Sequence, residues 1–124
     1  MKRELQIATL PVVALRGLVI FPKMMLHFDI GRKKSAAALN AAMEGEREIF
    51  LVAQKDLQED DPKQSDLYAC GVVASVRQVL RLPGTDNIRV VVEGRYRAGL
   101  IELTQDDPFL CGIVREKRTV RARA

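Results

Sequence analysis

Apolar positions recur mostly at every second residue, the period of a half-buried strand. Residues 7–15, IATLPVVAL, predict a first strand, and Pro11 inside it predicts an edge position or a bulge. Residues 24–30, MMLHFDI, alternate Met24, Leu26, Phe28 and Ile30 with Met25, His27 and Asp29. Gly31 ends that alternation. Residues 33–44, KKSAAALNAAME, are alanine-rich and free of β-branched residues, so they predict a helix. Its apolar stripe is Ala36, Leu39, Ala42 and Met43, and Gly45 is placed to stop it.

The second half is richer in strand signals. Residues 48–53, EIFLVA, predict a short buried strand, and the polar, Pro-containing stretch at 55–66 predicts a loop. In residues 68–82, YACGVVASVRQVLRL, Val72, Ala74, Val76, Leu80 and Leu82 fall on one face, with Ser75, Arg77 and Arg81 on the other. PGTDN at 83–87 reads as a turn. It is answered by NIRVVVEG, with Ile88, Val90 and Val92 on one side, so the pair predicts a hairpin. RYRAGLIEL predicts a further strand, with Gly94 and Gly99 as bend points, and FLCGIVRE closes the set. The count is about six strands and one helix. One helix cannot cover both faces of such a sheet, so the strands must cover one another. The expected class is mainly β with one short helix (α+β), as a curled sheet or open barrel.

Length and composition narrow this further. With 124 residues, 48% apolar and 29% charged, the chain is balanced for one domain with a core. No run reaches the ~18 apolar residues that span a bilayer, and the N-terminal residues do not resemble a signal peptide, so a cytoplasmic location is expected. The net charge of +4 is localised: the last ten residues, REKRTVRARA, hold five cations and one anion, and the remainder balances to zero. A basic tail at 117–124 is therefore expected after a domain at 1–116. Cys70 and Cys111 both lie in apolar contexts and are expected as small buried hydrophobes.

Catalytic and metal chemistry find little support. His27 is the only histidine, and no CxxC occurs, so no metal or other cofactor site is expected. Glu59, Asp60, Asp61 and Asp66 lack the ligand spacing and central Gly of a calcium loop. There is no phosphate-cradling P-loop and no GxSxG. Ser35 beside Lys33 and Lys34 reads as a helix-start cap. Arg95, Tyr96 and Arg97 are the nearest approach to a base-stacking, basic strand. What remains is surface: Met24 and Met25 must point to opposite faces of a strand, so one of them faces away from the core. Methionine suits an adaptable contact because its thioether chain repacks around varied partners. Phe21, Pro22, Met24 and Met25 form the first candidate binding group, and Leu80, Leu82 and Pro83 at the hairpin tip form the second.

These segments carry a family resemblance. LPVVALRGLVIFPKMMLHFDIGRKKS (10–35), the helix AAALNAAM (36–43), EIFLVAQKD (48–56) and LYACGVVASVRQVLRLPGTDNIRVVVEGRYRAGL (67–100) together resemble the N-terminal domain of the ATP-dependent Lon protease family. The resemblance covers about residues 8–116. It implies a PUA-like pseudo-barrel that recognises substrates and helps hold a hexamer. In the family this domain precedes an ATPase module, which uses ATP and Mg, and a protease module with a Ser-Lys dyad; both are absent from this sequence. Lys33 departs from the family pattern, which often carries an acid there, and makes Arg32, Lys33 and Lys34 one cationic group.

The reading from sequence is a non-catalytic recognition domain. Its expected partners are misfolded or tagged proteins, contacted through Phe21, Pro22, Met24, Met25, Leu80, Leu82 and Pro83, with Arg32, Lys33 and Lys34 at the rim. Other Lon subunits are the second expected partner. No membrane partner is expected. Two rival readings are an RNA-binding PUA-like module and a purely architectural oligomerisation domain.

Overall fold

The strand EIFLVA has no polar face, and that property organises the molecule. The computed structural model describes residues 6–16, 21–59, 62–85 and 87–117. They form β1 (Ile7–Leu15), β2 (Met25–Ile30), α1 (Lys33–Glu44), β3 (Glu48–Ala53), β4 (Cys70–Arg81), β5 (Ile88–Gln105) and β6 (Cys111–Glu116). A single 3-10 turn at Gln64–Asp66 lies within the polar loop. The sheet order is β2-β5-β4-β3-β1-β6, and β5 also pairs with β6. That extra pairing closes β5, β4, β3, β1 and β6 into a ring, with β2 attached outside it along the first half of β5. Only β1 and β3 run parallel. The pseudo-barrel of six strands and one helix agrees with the expected class.

Two cores share the same strands. Inside the ring, Val12, Phe50, Val52, Val73, Ala98 and Val114 pack together. On the opposite face, Val13, Leu15, Ile49, Leu51, Val72, Ala74 and Val76 pack with Leu39 and Ala42 of α1 and with Ile88, Val90 and Val92 of β5. β3 therefore sends Ile49 and Leu51 one way and Phe50 and Val52 the other, and all four are buried. A strand covered on both faces reads as a continuous apolar run, as β3 does. Burying each such side chain is worth about 1.5–3 kcal/mol of transfer free energy.

β5 serves both cores because of a bulge. Ala74 pairs with Gly94 and Val73 with Tyr96, so Arg95 is one residue too many for β4. An extra residue flips the faces of everything after it. Val92 accordingly faces the helix-covered core, whereas Tyr96 and Ala98 face the ring interior. The two strands expected across 87–103 are thus one strand bent at Gly94; the second irregularity falls between Leu100 and Glu102, not at Gly99. Pro11 fits a locally one-sided position. Residues 7–11 of β1 pair with β6, and pairing with β3 begins only at Val12.

Several sequence expectations shift. β4 has a second register break between Val76 and Gln78. Beyond it Val79 turns toward the core and Leu80 turns out, so Leu80 does not share a face with Val76. The helix buries Ser35, Ala38, Leu39 and Ala42, leaving Ala36 and Met43 half-buried at the margin. Arg32, not Ser35, occupies the N-cap, without a side-chain cap bond; Ser35 is in the first turn and packs inward. Cys70 is exposed and Cys111 half-buried, so neither is a core hydrophobe, and both are free. The polar Sγ of Cys70 accepts a hydrogen bond from Lys117 Nζ at 2.8 Å. Apart from Lys117, the basic tail lies outside the described residues.

Gly71 marks where β4 crosses β3 most closely. A Cβ there would stand 2.3 Å from the Leu51 carbonyl oxygen and 2.7 Å from Cζ of Phe50, which is fully buried. Gly71→Ala should therefore destabilise the domain by about 1–3 kcal/mol, the usual cost of overpacking. Urea unfolding read by circular dichroism checks this; an unchanged midpoint contradicts the two-core packing.

Candidate functional site

The sequence FPKM, residues 21–24, builds a tight turn before β2. Met24 N–H donates to the Phe21 carbonyl at 3.2 Å, Pro22 takes the second position, and Lys23 takes the third with φ 68°. This is the residue and torsion pattern of a type II turn, with a lysine where glycine is usual. Left-handed lysine costs of order 1 kcal/mol or more, so something must hold it there. The clamp is Gly94 of β5. Lys23 N–H donates to the Gly94 carbonyl at 2.7 Å, and Gly94 N–H donates to the Met24 carbonyl at 2.9 Å. A Cβ on Gly94 would lie 2.5 Å from the Phe21 carbonyl oxygen. The turn sits on β5 only because that position has no side chain.

The clamp explains the exposure of the methionines. Met24 precedes β2 rather than belonging to it, so the strand alternation does not bury it. Phe21 is 50% exposed, Met24 39% and Met25 56%; both methionines face out, not one of the two. Pro22 is half-buried. The guanidinium of Arg97 lies 5.8 Å from the centroid of the Phe21 ring, a cation–π contact that holds the ring in place. Residues 17–20, which lead into this turn, lie outside the described residues.

The outer face of β2, β5 and β4 continues from Met25. His27 is exposed on it, as its alternation predicted, and pairs with Val91. Charged residues on this face are matched: Arg77 with Glu93, and Arg89 with Asp29 at 2.9 Å. The Arg89 hydrogen bond holds the Asp29 carboxyl below its ordinary range and raises the Arg89 guanidinium.

The second candidate group is at the opposite end of β2. Met25 pairs with Glu93, but Ile30 pairs with Ile88, which pairs with Arg81 at the hairpin base. Five residues of strand separate the two ends by roughly 17 Å. Pro83 is exposed, Leu82 half-buried, and Leu80 lies exposed across from Arg89. Arg32, Lys33 and Lys34 follow β2 directly and belong to this end; Lys33 is exposed, and Arg32 and Lys34 are half-buried. The ten candidate residues thus form two groups at the two ends of β2. Sequence reasoning missed Gly94 and Arg97, which fix the first group; the doublet of a turn-forming FPK and a distant glycine gave no pairing signal.

Alternative chemistry does not assemble. Among the described residues, no group of three or more His, Cys, Asp and Glu could hold a metal ion. Of the basic-aromatic run, Tyr96 packs against the ring core, Arg95 pairs with Glu48, and Arg97 covers Phe21. That arrangement leaves no row of aromatic faces for bases.

With this geometry in place, the known proteins decide the family. The family model for the ATP-dependent protease La (LON) substrate-binding domain matches residues 9–122. The chain belongs to the Lon substrate-binding domain family. The Lon protease of Syntrophomonas wolfei subsp. wolfei is 43% identical over 115 residues, which is 93% of this chain and 14% of that protein. The Lon protease of Clostridium acetobutylicum is 45% identical over 101 residues, covering 82% of this chain and 13% of that protein. This Lon domain therefore spans a small fraction of the curated relatives it matches. Its fold is also that of the N-terminal domain of Mycobacterium avium complex Lon protease, with TM-score 0.68 at 21% identity over 94% of this chain and 57% of that chain. A Lon N-terminal domain protein from Xanthomonas campestris superposes with TM-score 0.61 at 11% identity, over 89% of this chain and 57% of that chain. The match assigns the chain to the substrate-binding part of Lon, which does not contain the protease active site. No helix among the described residues is long and apolar enough to cross a membrane.

Two measurements test the site. Gly94→Ala should dislodge the 21–24 turn, and amide shifts of Lys23, Met24 and Arg97 should move while those of β3 stay put; shifts confined to Gly94 itself would contradict the clamp. Carboxyl-detected NMR should show Asp29 titrating below the ordinary aspartate value, with Arg89→Gln returning it upward. Because the folded value is the lower one, the pair favours folding above about pH 4 and loses that effect as pH falls through the folded value.

Proposed function

We propose that this domain is the non-catalytic substrate-recognition module of an ATP-dependent Lon-type protease, binding exposed apolar segments of unfolded or tagged proteins. The observation that carries the reading is the cluster of Phe21, Met24 and Met25, held wet by a rigid turn. Isolated exposed apolar side chains are common on any protein. Here three large ones within five residues stand on a strained backbone that the fold fixes in place. Membership in the Lon substrate-binding family supports the same reading. Flexible thioethers accept varied apolar partners, which suits a site for many sequences.

Within this proposal, Leu80, Leu82 and Pro83 with Arg32, Lys33 and Lys34 make a second, separate contact some 17 Å away along β2. A long unfolded segment can touch both. Affinity per site is weak because a small patch must first offset the cost of association. A hexamer of such proteins, the assembly we propose for the full-length form, gains by presenting several sites at once. We assign residues 1–116 to the domain and 117–124 to the start of a connecting linker, and place the protein in the cytoplasm.

Reduced and carboxymethylated lysozyme, which stays unfolded in buffer, is a suitable probe, with native lysozyme as the control. The chain should bind the unfolded form and not the native one. Replacing Phe21, Met24 and Met25 together by serine should weaken binding about tenfold or more, the scale of a lost hot spot. Leu82→Ser with Pro83→Ser should cost less. Binding should fall little between 50 and 200 mM salt, whereas phosphate-driven RNA binding falls steeply over that range. Equal, negligible binding to both forms of lysozyme would favour a purely architectural role.

A further inference from the structure

Among the described residues, β2 is an edge strand with an open side. It pairs with β5 and, among the described residues, with no other strand. Its ladder alternates in a known phase. Gly94 N–H bonds the Met24 carbonyl, so the even-numbered residues of β2 hydrogen-bond to β5. In an antiparallel ladder the intervening residues turn their backbone groups the other way. Met25, His27 and Asp29 thus present their N–H and C=O groups along the open edge.

Natural edge strands are usually blunted by lysine, proline, a bulge or an inward charge. β2, MLHFDI, has no lysine and no proline, and its register with β5 is unbroken. Its one charge, Asp29, is neutralised by Arg89 on the neighbouring strand. The edge also borders a cavity. A cavity of about 420 Å³ lies between β1 and β2, beside the helix-covered core. Val13 and Leu15 line it from β1 and Phe28 and Ile30 from β2, with Arg16 and Arg32 at its margin.

We propose that the unfolded segment recognised by this domain binds as an added strand on the open edge of β2. Its alternate side chains enter the cavity between Phe28, Ile30, Val13 and Leu15. The occupant is an extended polypeptide stretch with apolar residues at every second position. A strand edge specifies such a partner by chemistry, since only another extended backbone matches its row of donors and acceptors. Met25 belongs both to this edge and to the exposed apolar group, so a segment paired along β2 runs directly onto that group. The inference rests on the recognition reading above and specifies how that recognition is made.

The test uses backbone N-methylation, which deletes a donor and blocks pairing without altering the side chains. The probe is a fluorescein-labelled peptide of alternating valine and threonine with a glutamate at each end, added to the 124-residue chain. Two further peptides carry N-methyl groups on every threonine or on every valine. In an added strand one set of amides faces β2 and the other faces away. One methylated peptide should therefore bind at least tenfold more weakly than the parent, and the other should bind within about threefold of it, given ~1 kcal/mol per hydrogen bond. Equal binding of all three peptides overturns the inference, as does failure of the parent peptide to bind. In either case continued binding of carboxymethylated lysozyme leaves the recognition reading standing; loss of that binding too removes both. His27→Pro is an independent check from the protein side. It removes an edge donor that β5 does not use, and proline is tolerated at such a position. It should weaken the parent peptide at least fivefold with the β-sheet circular dichroism retained; unchanged affinity in that folded variant counts against edge pairing.

Discussion

The structure depends on burying β3 from both sides. Ile49 and Leu51 face one core and Phe50 and Val52 the other, so two separate covers are required. A sheet of this size with a single helix has only one cover that is not itself a strand. The second must come from closing the sheet on itself, through the pairing of β5 with β6. β5 can reach both cores only by reversing its faces midway, which the extra residue Arg95 accomplishes. Gly71 lets β4 come close enough for Phe50 to fill the ring, and Gly94 leaves room at the bend.

The residue at that bend also seats the exposed apolar group. On the side away from β4, the N–H of Gly94 bonds the Met24 carbonyl as the next rung beyond Met25 and Glu93. The Phe21–Met24 turn takes up the groups at Gly94, and the absent side chain there admits it. One glycine thus serves both the bend between the two cores and the turn that carries Phe21 and Met24, with Lys23 accepting a left-handed torsion there. Arg97 over the Phe21 ring restrains a side chain that would otherwise swing freely. Rigidity before binding reduces the entropy lost on binding, an advantage for a weak site.

Much of this was legible from residue patterns, and the parts that were not share a cause. The bounds of β1, α1 and β3 follow directly from local signals, because period, alanine content and glycine stops act within a few residues. Faces were harder. Counting in twos from Val76 puts Leu80 on the core face, but the register break between Val76 and Gln78 invalidates the count. The alternation extends to Met24, whereas β2 starts one residue on, because the apolar character of Met24 continues the pattern although its backbone does not. Ser35 resembles a cap by type but packs inward, because the helix begins earlier, at Lys33. Of the candidate residues, Phe21, Met24, Met25, Lys33, Leu80 and Pro83 are exposed and Pro22, Arg32, Lys34 and Leu82 half-buried; their division between two ends of β2 depends on pairing partners more than fifty residues away. Periodicity reports which side a residue faces only while the register is unbroken; it carries no information on which strand lies alongside.

A recognition surface for unfolded chains faces a particular constraint: its ligands share no sequence. What they do share is a backbone and a supply of apolar side chains. On the reading proposed above, the domain offers a counterpart for each of these features near one strand, with backbone groups of Met25, His27 and Asp29 unpaired among the described residues and adaptable thioethers at Met24 and Met25. Most folded proteins satisfy their backbone groups in secondary structure and blunt their sheet edges, so few present both features side by side. Discrimination between folded and unfolded partners then needs no reading of sequence. The matched ion pairs on the outer face fit this logic, because Asp29 held by Arg89 keeps an unpaired charge from repelling an approaching strand.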